Sequence, residues 1–209
     1  MSKILHSILI AACCIMGFSV TSCSKDEEEA GEYDNWQARN QAYVDSIANL
    51  AKQGIDGWSR ALVFYYQQEY ADNSGDNNLY VYIKRLEEGT GTVKPIYSDS
   101  VRVQYRGRLI PSKSYKEGYV FGQSFTESDL TAINEATAVP TLLAVDENVP
   151  GFCQGLCEMK EGESVRMVIP YYVGYGAPSA NSAIPDYSTL IFDVKLVKLY
   201  KRGESVTWR

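Results

Sequence analysis

The sequence predicts an α+β fold in which several antiparallel strands are covered by one short helix, with a small helical segment ahead of them. Three observations carry this prediction. Apolar residues alternate with polar ones at the period of a strand in Val101-x-Val103-x-Tyr105, in Val165-x-Met167-x-Ile169 and in Leu190-x-Phe192-x-Val194-x-Leu196. Among these strand signals lies a single i, i+4, i+7 stripe of Phe152, Leu156 and Met159, the pattern of a helix laid on a sheet. Upstream, Trp36, Tyr43, Ile47, Leu50 and Ala51 mark an amphipathic helix.

Taken in order, residues 1–22 open with Lys3, continue with the apolar run Ile8 to Phe18 and end in Val20-Thr21-Ser22, directly before Cys23. The run is short for a membrane span, which needs about 20 apolar residues, and it resembles a bacterial lipoprotein signal peptide with Cys23 as the lipidated residue. More than one acyl chain on that cysteine would give stable membrane attachment, because a single chain binds only marginally. Residues 23–34 form an acidic tether containing Asp26-Glu27-Glu28-Glu29. A solvated spacer has this composition, and the run also resembles the export signal of surface-exposed lipoproteins of Bacteroidetes. The expected location is the bacterial cell envelope, lipid-anchored in the outer membrane.

Residues 35–77 are expected to hold the amphipathic helix, stopped at Gly54, then a helical or irregular stretch over Trp58 to Tyr70 and the polar linker Ala71-Asp72-Asn73-Ser74-Gly75-Asp76-Asn77-Asn78. The main domain follows over 78–209. Its strands are expected at Leu79 to Ile83, Val101 to Ile110, Ser164 to Ile169 and Thr189 to Leu199. Strands gathered on one covering helix define the α+β class.

Composition excludes several function classes. The net charge of −6 provides no basic field for nucleic acid. The one histidine, His6, lies in the leader, which removes His-based nucleophilic chemistry and His-ligated zinc from the mature chain. Beyond Cys23 only Cys153 and Cys157 remain, at the i, i+4 spacing of one helix side, where geometry favours two packed thiols over a disulfide. Glu88-Gly89-Thr90-Gly91 is not followed by Gly-Lys-Ser/Thr and reads as a turn between strands, not as a phosphate loop. No cofactor is expected.

From Leu79 to Leu199 a set of separated motifs has a common order: Val149-Pro150-Gly151-Phe152, Gly162-Glu163-Ser164, Ile169-Pro170, Gly174-Tyr175-Gly176, Ile184-Pro185 and Leu190-Ile191-Phe192-Asp193-Val194. In this order and spacing the chain resembles the FKBP-type peptidyl-prolyl cis-trans isomerases. The resemblance implies a twisted antiparallel sheet wrapped on the short helix. It also implies a proline pocket of Tyr105, Phe121, Val149, Phe152, Tyr175, Ile184 and Phe192, with proline-containing polypeptides as partners. Phe152 stands where the family usually has tryptophan, and Gly122 where it commonly has aspartate. Both 111–119 and 122–147 are longer than in compact members. A non-catalytic module binding extended or proline-containing segments through the same cleft is therefore the alternative. A structural role, with the Trp36 to Leu50 helix as a docking surface, would require an exposed apolar stripe on that helix.

Overall fold

The computed structural model describes residues 31–127, 130–134 and 138–206. Cys23, the leader and the acidic run Asp26 to Glu29 lie outside the described residues. From Gly31 onward the described chain forms one compact unit. Its elements are α1 (Trp36–Gln53), β1 (Trp58–Leu62), α2 (Gln68–Ser74), β2 (Tyr80–Glu87), β3 (Ser100–Arg108), β4 (Val120–Gln123), β5 (Thr141–Ala144), α3 (Pro150–Cys157), β6 (Ser164–Ile169) and β7 (Leu190–Tyr200). This is the expected α+β class. Trp58 to Leu62 is a strand rather than helical or irregular chain, and α2 occupies part of the expected linker. The line drawn at 77/78 therefore falls inside one unit, since β1 belongs to the same sheet as β2.

Among the described residues all seven strands join one sheet in the order β1-β2-β6-β7-β3, with β4 and β5 both pairing to the outer edge of β3. Every pairing is antiparallel. Two short strands share that edge because β3 is long: Arg106 to Arg108 pair with β4, while Ser100 to Val103 pair with β5. Just beyond β4, Ser124 closes the edge at Tyr105: its N–H donates to the Tyr105 carbonyl and its Oγ accepts from the Tyr105 N–H, both at 2.9 Å.

One face of the sheet carries Val165, Met167 and Ile169 with Phe192 and Val194 beside them, as the period-two pattern requires. Helix α3 lies on this face, with Pro150 in its first turn, where a missing N–H costs nothing. Phe152, Cys153 and Leu156 are buried beneath it. Gly155 allows the close approach, because a Cβ there would overlap the Met167 sulfur. Met159 lies past the helix end yet is fully buried, completing the stripe.

Helix α1 covers the opposite face. Trp36, Val44, Ile47 and Ala48 are buried, and Tyr43 sits beside Arg108, Arg166 and Asp193, which point away from α3. Two buried polar ties fix its start: Trp36 Nε1 donates to Ser188 Oγ at 2.8 Å, and Asn40 Oδ1 accepts from the Thr189 N–H at 2.7 Å. Gly54, in the left-handed region at φ 64°, ends the helix by donating to the Leu50 and Ala51 carbonyls, the predicted stop. The exposed side of α1 carries Gln37, Ala38, Ala42, Ser46, Asn49 and Lys52, which are polar or small, so the apolar stripe of this helix is spent inside the unit.

Buried charges tie the loops. Asp99, 2% exposed, accepts from Lys201 Nζ at 2.7 Å and from the backbone of Ile96 and Arg202 at 2.9 and 3.2 Å, joining the entry to β3 to the exit from β7. Glu163 accepts from Arg85 Nε and from the Lys160 N–H, and closes the turn before β6. Gly89 and Gly91 pack on the backbone of this turn, so Glu88 to Gly91 is a packed turn, as expected. No described helix is long and apolar enough to cross a membrane.

Candidate functional site

A cavity of about 460 Å³ opens between α3, the sheet and the loop after Tyr171. Tyr105, Phe121, Val149, Phe152, Tyr175 and Phe192 all line it, and these are six of the seven residues named from the sequence. Ile184, the seventh, is buried at 3% exposure but is not among the lining residues. Its N–H donates to the Asn181 carbonyl, and so it braces the loop that forms one wall.

Phe192 is the hub of the aromatic wall. Its ring centroid lies 4.7 Å from Phe152, 5.4 Å from Phe121 in an edge-to-face arrangement, and 6.3 Å from Tyr105. Each ring is delivered by a different element: Tyr105 by β3, Phe121 by β4, Phe152 by α3 and Phe192 by β7. Offset and edge-on contacts of this kind add about 0.5–1.5 kcal/mol each beyond burial, which favours a fixed wall. Gly107 makes the wall possible. It pairs with Phe192 and Gly122 across the sheet, and a Cβ on it would stand 2.6 Å from Phe192 Cε1 and 2.7 Å from Phe121 Cε2.

Tyr175 enters from the loop on the other side. Gly174 and Gly176 flank it, Gly176 at φ 82°, and its carbonyl accepts from the Ala180 N–H at 2.8 Å. The turn at 145–149 forms the remaining rim. It is held by Val145 N–H to the Asp99 carbonyl, by Asn148 Nδ2 to the Ala144 carbonyl, and by Cys153 Sγ donating to the Asn148 carbonyl. Gly122 lies in β4 with no left-handed φ, and the space a Cβ would take faces Tyr105.

Leu143, Glu147, Asn148, Ala180 and Asn181 also line the cavity and were not named from the sequence, and Gly174, named there only within its motif, lines it too. Leu143 lies in a four-residue strand too short for a periodic signal. Glu147 and Asn148 immediately precede the Val149-Pro150-Gly151 motif, a position that could have flagged them. Gly107 carried no local signal at all, since its role exists only across three strands.

The cavity offers aromatic surface, two tyrosines and the polar residues Glu147, Asn148 and Asn181. Among the described residues no group of three or more His, Cys, Asp and Glu side chains is placed to hold a metal ion. Cys153 and Cys157 are free thiols. Burial, with the neighbouring Cys153, pushes Cys157 up to about 11, and burial raises Cys153 as well, so neither is a nucleophilic thiolate near neutral pH.

Comparison with known proteins gives this geometry a family. The model for FKBP-type peptidyl-prolyl cis-trans isomerases matches residues 91–197. The chain is 32% identical over 124 residues to the macrophage infectivity potentiator of Trypanosoma cruzi, covering 59% of this chain and 55% of that protein. It is 30% identical over 182 residues to FkpA of Escherichia coli K12, an FKBP-type isomerase by name, covering 86% of this chain and 59% of FkpA. An FK506-binding protein of Neisseria meningitidis is 32% identical over 119 residues, 57% of this chain and 95% of its own length. The crystal structure of E. coli FkpA superposes with a TM-score of 0.56 at 26% identity, covering 82% of this chain and 64% of that one. The chain thus spans little more than half the length of the first two relatives. With half of its own length matched by the family model, and with the sheet, covering helix and cavity described above, the chain belongs to the FKBP-type peptidyl-prolyl cis-trans isomerase family.

Proposed function

We propose that this protein is a peptidyl-prolyl cis-trans isomerase that takes proline-containing segments of exported polypeptides into the aromatic cavity, and that it is held at the cell envelope by lipid on Cys23. The observation that carries the catalytic reading is the convergence of Tyr105, Phe121, Val149, Phe152, Tyr175 and Phe192 on one cavity. Family membership and the likeness to FkpA, an FKBP-type peptidyl-prolyl cis-trans isomerase, support it.

The chemistry suits such a cavity. Rotation about X-Pro must break amide resonance, at a barrier of roughly 20 kcal/mol and with relaxation over tens of seconds. The twisted amide is less charge-separated than the planar one, so an apolar wall stabilises it relative to the ground state. Hydroxyls of Tyr105 and Tyr175 and exposed backbone N–H groups would hold the flanking carbonyls. A millionfold acceleration needs about 8 kcal/mol of differential stabilisation, spread over these contacts. No nucleophile or proton transfer enters. Envelope anchoring rests on the Val20-Thr21-Ser22-Cys23 site and the acidic run after it.

One observation favours a second reading, a binding module without catalysis. Gly122 leaves the Tyr105 side of the cavity without a carboxylate. An isomerisation assay on short X-Pro peptides separates the two. Acceleration by the folded protein supports the enzyme, whereas binding without acceleration across several residues before proline supports the module.

A further inference from the structure

The loop over 171–189 supplies Gly174, Tyr175, Ala180 and Asn181 to the cavity. Backbone bonds close its turns: the Tyr175 carbonyl accepts from the Ala180 N–H at 2.8 Å, and the Asn181 carbonyl from the Ile184 N–H at 3.0 Å. Near the end of the loop Tyr187 stands at φ 62°, in the left-handed region that a bulky aromatic residue rarely enters. A residue keeps such a conformation only where its surroundings over-determine it. From there the Tyr187 N–H reaches back to the Gly176 carbonyl at 3.4 Å, beside Tyr175, and its ring meets Tyr171 edge-on at 5.1 Å. The two residues that follow Tyr187 are both bound by α1. Ser188 Oγ accepts from Trp36 Nε1 at 2.8 Å and donates to the Pro185 carbonyl at 2.6 Å, while the Thr189 N–H donates to Asn40 Oδ1 at 2.7 Å. Trp36, Asn40, Ser188 and Thr189 are all buried, so a bond lost there leaves a polar group unpaired. The anchor is itself held, because Asn40 Nδ2 donates to the Trp36 carbonyl at 2.7 Å and Tyr33 packs edge-on against the Trp36 ring at 4.9 Å.

We infer that Trp36 and Asn40 are positioning residues for the cavity: from α1, ahead of the family-matched residues 91–197, they pin Ser188 and Thr189, keep Tyr187 left-handed and so fix the wall that carries Tyr175 and Asn181. This rests on the isomerase reading above and adds to it a support outside the cavity. Neither Trp36 nor Asn40 lines the cavity, so both act through the loop. Two routes lead there. One runs from the Ser188 hydroxyl through Pro185 and Ile184 to the Asn181 carbonyl, the other from Tyr187 through the Gly176 carbonyl to Tyr175. Without the Trp36 donor, Ser188 is no longer fixed and Tyr187 relaxes toward negative φ, which releases Gly176. A wall that samples several arrangements stabilises the twisted amide less than a fixed one does.

The test compares the purified protein with Trp36→Phe, which keeps a ring and removes the donor, and with Ser188→Ala, which removes the hydroxyl. All samples are assayed at a temperature where thermal melts show them folded. Each variant should lower kcat/KM on an X-Pro peptide by about threefold to tenfold, and the double variant should be no slower than Ser188→Ala alone, because both changes break the same bond. Amide hydrogen exchange should quicken at Ala180 and Tyr187 and stay unchanged along the β2–β6 pairing, a local loosening that a general loss of stability would not produce. If wild type accelerates no peptide, the isomerase reading fails, and the same loosening is then read in peptide dissociation constants by NMR titration and in the exchange. Folded variants with wild-type rate and wild-type peptide affinity overturn the inference, whatever the exchange shows.

Discussion

Gly122→Asp tests how the cavity is polarised. The glycine lies in β4 opposite Gly107, outside the left-handed φ region, so an L residue fits its backbone. A Cβ there would meet only Tyr105, at 3.6 Å from Cε2 and 3.8 Å from the hydroxyl oxygen, which is ordinary contact. The carboxylate extends beyond that Cβ and can accept a hydrogen bond from the Tyr105 hydroxyl. A charge-assisted bond of this kind contributes about 1.5–3 kcal/mol where it forms, of which only the part that strengthens as the amide twists reaches the rate. Anchoring the Tyr105 ring preorganises one wall, and we expect kcat/KM on X-Pro peptides to rise about threefold to tenfold, equivalent to roughly 0.7–1.4 kcal/mol. Protease-coupled isomerisation gives the rate, and a shift of the Tyr105 ring resonances in NMR reports the new contact. A variant that is folded, shows the Tyr105 shift and is no faster would refute the reasoning.

Two further outcomes follow from the same structure and a third from the sequence. Gly107→Ala places a methyl 2.6–2.8 Å from the Phe192 and Phe121 rings, so it should cost about 1–3 kcal/mol by urea denaturation and slow isomerisation as well; wild-type stability would contradict the close approach. Burial raises the Asp99 carboxyl, but hydrogen bonds from Lys201, Ile96 and Arg202 outweigh this and hold it below the usual range. Its stabilisation is therefore present above the unfolded value near pH ~4 and lost as pH falls through the folded one, so Asp99→Asn should be less stable at pH 7 and show a shallower acid limb in thermal melts. Cys23→Ala should abolish incorporation of radiolabelled fatty acid and release the protein from membranes; equal labelling would exclude Cys23 as the acceptor.

The legible parts of the fold are those with long apolar patterns. Strands β3, β6 and β7, helix α1 with its Gly54 stop and helix α3 follow from spacing, and β2 from its unbroken run Tyr80 to Ile83, all four residues of which are buried. Strand β1 escaped because Trp58 is the only buried residue of its five, as suits an edge strand. Strands β4 and β5 are four residues each, too short for the alternation to be distinctive. The cavity was legible through motif positions on four separate elements. Its supports were less so: Gly107 acts by what it lacks across the sheet, and Ile184, named as a wall residue, is buried outside the lining.

The most direct test of the central claim is exchange NMR on a short X-Pro peptide with the folded protein, comparing wild type with Phe121→Ala and Tyr175→Ala. Both residues are partly exposed cavity wall, so each variant should fold. The cis-trans exchange rate should rise well above the uncatalysed value with wild type and drop at least tenfold in each variant, with peptide-induced shifts centred on Tyr105, Phe152 and Phe192. Exchange at the uncatalysed rate with folded wild type, or full acceleration by both variants, would contradict catalysis in this cavity.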